Sequence, residues 1–166
     1  AKVLLIDLRD NPGGWVVDAV KVAALFLEDG TVASLRYRDG SEETYQLHKG
    51  KNDIPLVVLV NENSASASEI LSGCLQDYGR ATIVGVTTYG KGVVQYVLPV
   101  GTRGAGMQLT VAQYFTPNGH EVHKIGITPD VVVEMPEGDN TMYDLGDLND
   151  AQLKAAYELA LEKAGE

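Results

Sequence analysis

Three short stretches of the chain are almost wholly apolar, and each stops at turn formers. They are Val3 to Leu8 before Asp10-Asn11-Pro12-Gly13-Gly14, Pro55 to Val60 before Asn61 to Ser64, and Ala81 to Val86 before Thr87 to Gly92. Apolar runs of this length without alternation suit strands covered on both faces, the setting of a parallel sheet. Helical spacing follows the first two. Val17, Val20, Ala24 and Leu27 recur at helical intervals, with Leu25 and Phe26 widening the stripe until Asp29-Gly30 ends it. Ile70, Leu71, Cys74, Leu75 and Tyr78 mark one face of a second helix. Such units predict an α/β fold with a parallel sheet and right-handed crossovers, so every strand C-terminus reaches the same edge.

Elsewhere the pattern is that of hairpins. Val32 to Arg38 and Glu43 to Leu47 flank Asp39-Gly40, a hairpin signal. Beyond Gly92 the strands lengthen: Val93 to Val100, Met107 to Phe115, a Pro117-Asn118-Gly119 turn, and Val131 to Glu134. A closing amphipathic helix carries Leu153, Ala156, Tyr157, Ala160, Leu161 and Ala164 on one face, with Asn149 or Asp150 as its N-cap. No repeat, linker or low-complexity tract interrupts the chain. Its 166 residues, 45% of them hydrophobic, make one domain with its own core.

Charge removes several functions. Thirteen basic against 23 acidic side chains leave a net charge of −10, which repels nucleic-acid backbones and anionic lipid. No run approaches the roughly 18 to 20 apolar residues that span a bilayer, so the chain is expected to be soluble. Cys74 stands alone, closing no disulfide within the chain and offering no cluster for zinc or iron–sulfur. The sequence opens without Met and inside a strand-like run, so it is expected to be a piece of something longer.

The predicted sheet edge gathers three loops, Arg9 to Gly14, Asn61 to Ser66 and Thr87 to Gly92, where open α/β sheets place their sites. Ser66 opens a helix, so the amides of Ala67 and Ser68 are unpaired first-turn donors able to hold an oxyanion. Gly13 and Gly14 permit the close backbone approach that would add another amide. Ser66 with Glu69 also fits a capping box, an ordinary way to start a helix. Ser64 and Ser68 are rival hydroxyls; Ser64 fits an N-cap, and Ser68 lies about 200° around the helix from Ser66.

A nucleophilic serine needs a base. His48 lies in the hairpin region, and His120 and His123 flank a turn expected to lie far from the three loops. Three residues apart on a strand, those two would face opposite sides, which disfavours a metal pair. Lys91 fits better, provided desolvation lowers its amine well below the usual ~10.4. Gly85 to Lys91 also matches the first seven positions of a phosphate-binding loop. Gly92 stands at the eighth, where Ser or Thr must hold magnesium, and a strand follows where a helix is required.

Asp7 to Gly14 (DLRDNPGG), Val60 to Ile70 (VNENSASASEI), Gln76 to Tyr78, Thr88 to Gln95 (TYGKGVVQ), Tyr114 to Pro117 (YFTP) and Gly126 to Asp130 (GITPD) together resemble the carboxy-terminal processing proteases, also called tail-specific proteases. The likeness runs from Val3 to about Val133 and rests on the order and spacing of all the segments. It implies a crotonase-like layered α/β core and a serine endopeptidase that cleaves protein substrates near their C-termini through an acyl-enzyme. Ser66 matches the family nucleophile, Lys91 its general base, and Gln95 the glutamine that orients the lysine in some members. The last two agree with strand parity, since residues four apart share a face. Gly13 or Gly14 with Ala67 match the oxyanion donors.

Asp77 matches a position implicated in some members. Eleven residues beyond Ser66 it returns to the same helix face about 16 Å away, which suits a supporting role rather than direct chemistry. The resemblance also implies that residues 1–166 are a truncated catalytic core. The full-length parent would carry an N-terminal region and a PDZ domain that captures substrate tails. It would lie outside the cytoplasm, in the bacterial cell envelope or periplasm, with a membrane anchor as one option. No metal or organic cofactor is required, and a homo-oligomer is left open. The alternative is a catalytically silent member that binds peptide or an apolar ligand in the same cleft.

Overall fold

The computed structural model describes residues 1–166 apart from Lys49, Lys51, Arg103, Asn140 and Glu166. In chain order the elements are β1 (Leu4–Asp7), α1 (Val16–Ala23), β2 (Asp29–Tyr37), β3 (Glu42–His48), β4 (Leu56–Val60), α2 (Ala67–Asp77), β5 (Ala81–Gly85), β6 (Val93–Val100), β7 (Ala105–Phe115), β8 (Val131–Val132) and α3 (Ala151–Ala164). They form two sheets. One is parallel in the order β1-β4-β5-β8; the other is antiparallel in the order β3-β2-β7-β6.

Strand β4 shows why its sequence does not alternate. Leu56, Val58 and Val60 join a core built with α1, α2 and the antiparallel sheet, whereas Val57 and Leu59 pack with Val84, Ala156 and Ala160 beneath α3. Successive side chains point to opposite faces, and both faces are covered. Each such Val or Leu contributes about 1.5 to 3 kcal/mol on burial, so this strand anchors both layers. Helix α2 is buried from Ala67 to Leu75. It lies against α1, β2 and β5, which fixes the position of its first turn.

Two expected boundaries move. Helix α1 ends at Ala23, one turn early; Leu25 is 59% exposed while Phe26 and Leu27 turn into the core. The Leu25 carbonyl accepts from the Asn52 N–H at 3.1 Å, so the loop from the second layer competes with continued helix. Asp29 and Gly30 do not form a turn but open β2, paired with His48 and Leu47. The two histidines expected on a strand lie instead in the turns after β7. Asp150 is the N-cap of α3, accepting from the amides of Gln152 and Leu153. Among the described residues no helix is long and apolar enough to cross a membrane.

Candidate active site

The loops after β1, β4 and β5 meet at one end of the parallel sheet. The Asp10 N–H donates to Asn61 Oδ1 at 2.9 Å, and the Ala65 N–H to the Asn11 carbonyl at 3.0 Å. The Tyr89 N–H donates to the Ser64 carbonyl at 3.0 Å, which adds the third loop. Asn63 and Asn61 hydrogen-bond the Asp10 carboxylate and hold it below the usual range. That network also fixes Asp10 at a φ of 57°.

The three neighbouring serines have different tasks. Ser64 is fully buried; its hydroxyl donates to the Leu8 carbonyl at 2.7 Å and accepts from the Asn61 N–H at 2.9 Å. The buried Ser68 hydroxyl donates to the Asn11 carbonyl at 3.1 Å. Both hold the first loop in place. Ser66 is half-buried and sits at φ 57°, ψ −116°, a conformation that costs a non-glycine residue about 1 to 3 kcal/mol. Strain of this kind persists only where the surroundings over-determine it, so the restraints on Ser66 matter.

The strongest restraint is Glu69, a fully buried carboxylate in the first turn of α2. Its Oε2 accepts the N–H of Ser66 at 2.8 Å and the N–H of Lys91 at 2.9 Å. Oε1 accepts the Thr88 hydroxyl at 2.6 Å and the Gly90 N–H at 2.7 Å. Thr88 Oγ1 in turn accepts the Ile127 N–H at 2.7 Å. One side chain thus brings the backbone of the serine and of the lysine to a single oxygen atom. Four donors compensate the burial of that carboxylate.

Beside this point the first loop is pressed onto the helix start. Gly13 has a φ of 91°, and a Cβ there would lie 2.5 Å from the Ala65 oxygen and 2.6 Å from the Ala67 nitrogen. Only glycine allows both the dihedral and the approach. The Gly13 N–H donates to Asn11 Oδ1 at 2.9 Å. Among the described residues, the amides of Gly14 and Ala67 are left without an intramolecular acceptor. An open, mainly apolar cleft of about 420 Å³ adjoins these amides, walled by Ile6, Leu8, Trp15, Ala19, Val22 and Leu71. Trp15 stands at its mouth, 78% exposed.

The model of peptidase family S41 matches residues 1–133. The chain belongs to that family. It is 47% identical over 133 residues to the carboxyl-terminal-processing protease of Synechocystis sp., covering 80% of this chain and 31% of the relative. To the carboxy-terminal-processing protease of Bartonella bacilliformis it is 46% identical over 138 residues, covering 81% and 32%. The chain therefore spans about a third of the length of these curated relatives. Among solved structures, the photosystem II D1 C-terminal processing protease superposes with a TM-score of 0.75 at 38% identity, covering 81% of this chain and 35% of that one. A lipoprotein from Streptococcus agalactiae, 18% identical, shares the fold over 98% of this chain and 55% of its own, with a TM-score of 0.76.

Within this S41 core the remaining expectations separate. Lys91 is exposed rather than enclosed. The parity argument joining Lys91 to Gln95 does not apply, because Lys91 lies outside β6, which begins at Val93; beside Gln95 the pairing skips Val111 of β7. The exposed Gln95 amide accepts from Gln108 Nε2 at 2.7 Å and donates to Thr110 Oγ1 at 3.4 Å. His123 is not remote from the site: a Cβ on Gly92 would lie 2.3 Å from its backbone nitrogen, and Lys124 N–H donates to the Gly90 carbonyl at 2.8 Å. The His120 imidazole lies 3.3 Å from Asp77, whose carboxylate also accepts the Asn118 N–H at 2.8 Å. Asp77 secures that turn, as its distance along the helix suggested.

Glu69 and Thr88 are the residues whose part in the site was not foreseen. Glu69 was visible as a capping partner of Ser66. Its reach to residues 88–91 depends on the crossover between α2 and β5, which local spacing does not encode.

Proposed function

We propose that this chain is the catalytic core of a serine endopeptidase, with Ser66 as nucleophile and Lys91 as general base, acting near the C-termini of protein substrates. The observation that carries the reading is the convergence of the Ser66 and Lys91 amides on Glu69 Oε2, with Ser66 the half-exposed, strained serine of its trio. Family membership supports peptide hydrolysis, and the names of the relatives support C-terminal processing. The layering of the two sheets suits a crotonase-like core.

In the reaction the Lys91 amine takes the Ser66 proton as Oγ bonds to the peptide carbonyl carbon. The carbonyl oxygen becomes an oxyanion held by the Ala67 amide and an amide of the Gly13–Gly14 pair. Each fixed donor there is worth about 2.7 to 4 kcal/mol. The lysine then protonates the departing amine, and water, deprotonated by the same amine, releases the acid from the acyl-enzyme. A peptide lying over the exposed Lys91 excludes water from the reacting groups. Gln95 orients the lysine in this state, a task that requires it to leave Gln108 and Thr110. The cleft beside Gly14 and Ala67 receives an apolar side chain flanking the scissile bond.

The full-length protein in this reading lies outside the cytoplasm, in the bacterial cell envelope or periplasm, and captures substrate tails through a PDZ domain. The test is hydrolysis of peptides with apolar C-terminal tails. Ser66→Ala and Lys91→Ala should each abolish turnover with unfolding curves unchanged, and turnover surviving either substitution contradicts the assignment. Exposure of Lys91 and the engagement of Gln95 elsewhere favour one second reading, a silent member that binds peptide without cleaving it. Tight peptide binding with no acyl-enzyme detectable by mass spectrometry would select it.

A further inference from the structure

Opposite Glu69, the same two loops are gripped from β7. Tyr114 is 2% exposed, and its ring lies in the main core. Its N–H donates to the Gly92 carbonyl at 3.0 Å, and its phenol hydroxyl donates to the Lys91 carbonyl. The Ser66 carbonyl lies 3.2 Å from the same phenol oxygen. Burial, and after it the charge of Glu69, raise the phenol well above its usual range, so the hydroxyl keeps its proton at any ordinary pH.

We infer that Tyr114 is a positioning residue for the Ser66–Lys91 reaction: its hydroxyl fixes the Lys91 peptide unit against that of Ser66. The inference rests on the serine–lysine reading. The geometry forms a pincer. Glu69 takes the N–H groups of Ser66 and Lys91, and Tyr114 takes the carbonyl of Lys91 while reaching that of Ser66. Glu69 belongs to α2 and moves with the serine. Tyr114 belongs to the antiparallel sheet, paired with Leu35 of β2, so it refers the lysine loop to a second rigid body. The lysine side chain is exposed and long, so the reach of its amine toward Ser66 starts from where its backbone is held.

Tyr114→Phe deletes the hydroxyl and keeps the ring, the backbone bond to Gly92 and the core packing. The experiment is the rate of covalent labelling of Ser66 by a fluorophosphonate probe, measured against probe concentration with the full chain. The maximal rate should fall about 10- to 100-fold while the concentration giving half-maximal rate changes less than about twofold, because placement is lost and probe binding is not. An unaltered maximal rate in Tyr114→Phe, or a loss carried by the half-maximal concentration instead of the maximal rate, overturns the positioning role and leaves the serine–lysine reading intact. Absence of Ser66 labelling in the unaltered chain overturns both. Chemical unfolding of the variant separates a folding defect from misplacement: a maximal rate that recovers fully under stabilising conditions also overturns the role.

Discussion

Glu69 is the residue on which most of the site converges, and its chemistry is exacting. All four of its partners are donors, so the position requires four acceptor lone pairs. Glu69→Gln turns one acceptor into an NH₂ group facing donors. It should lower stability by about 1 to 3 kcal/mol for each donor left unpaired, measured by urea unfolding, and should slow Ser66 labelling more than stability alone explains. Gly13→Ala is strained on two counts, its dihedral and its contact with Ala67. It should cost at least about 1 kcal/mol and nearly abolish turnover, because the loop must retreat from the oxyanion position. Retained turnover in Gly13→Ala would remove the first loop from the oxyanion site. The meeting of the loops that hold Ser66, Lys91 and the glycine pair was legible in the sequence, because each loop follows a strand of the parallel sheet. The surroundings of Gln95 were not, because its pairing with Thr110 follows an extra residue, Val111, in β7, a separate stretch of the chain.

At the scale of elements, Arg9 joins the loop after β1 to α3. Its guanidinium hydrogen-bonds Asp7 at 2.7 Å and Asp150 at 2.6 Å, the latter buried. Burial opposes the Arg9 charge, but the hydrogen bonds to Asp7 and Asp150 outweigh it and hold the guanidinium above its usual range. Asp150 also caps α3, so one carboxylate serves two elements. Asp150→Ala should cost about 2 to 4 kcal/mol in urea unfolding, the loss of a cap together with an unpaired, half-buried arginine. Asp7→Ala, at a more exposed site and without a cap to lose, should cost less; an equal cost would show that the cap adds nothing to the lost arginine partner. The elements themselves were largely legible, since apolar runs and helical stripes report burial directly. Their ends were less so. The close of α1 at Ala23 and the entry of Asp29-Gly30 into β2 are decided by contacts with Leu47, His48 and Asn52, which no window on α1 contains.

Over the whole molecule, the parallel edge was the most readable feature, because connectivity alone forces the strand ends together. The separate antiparallel sheet was not, nor was the approach of the turns after β7 to Gly90 and Gly92. Cys74 reports on the integrity of this assembly. Burial, and after it the charge of Asp77, push its thiol up to about 12. The folded state therefore holds the thiol proton between the unfolded value near 9 and that level, so stability should decline as pH rises through this window. At pH 8 the thiol should react with a disulfide reagent only as fast as the chain opens. Rapid reaction in the native state would show that α2 is loosely packed.

The central claim is that the fold delivers one particular serine and one particular lysine to a shared point. Mapping of the fluorophosphonate adduct by peptide mass spectrometry tests it most directly. The adduct should fall on Ser66 in the unaltered chain and be lost in Lys91→Ala, with the fold of that variant intact. An adduct on Ser64 or Ser68, or equal labelling of Ser66 without the lysine, would contradict the account.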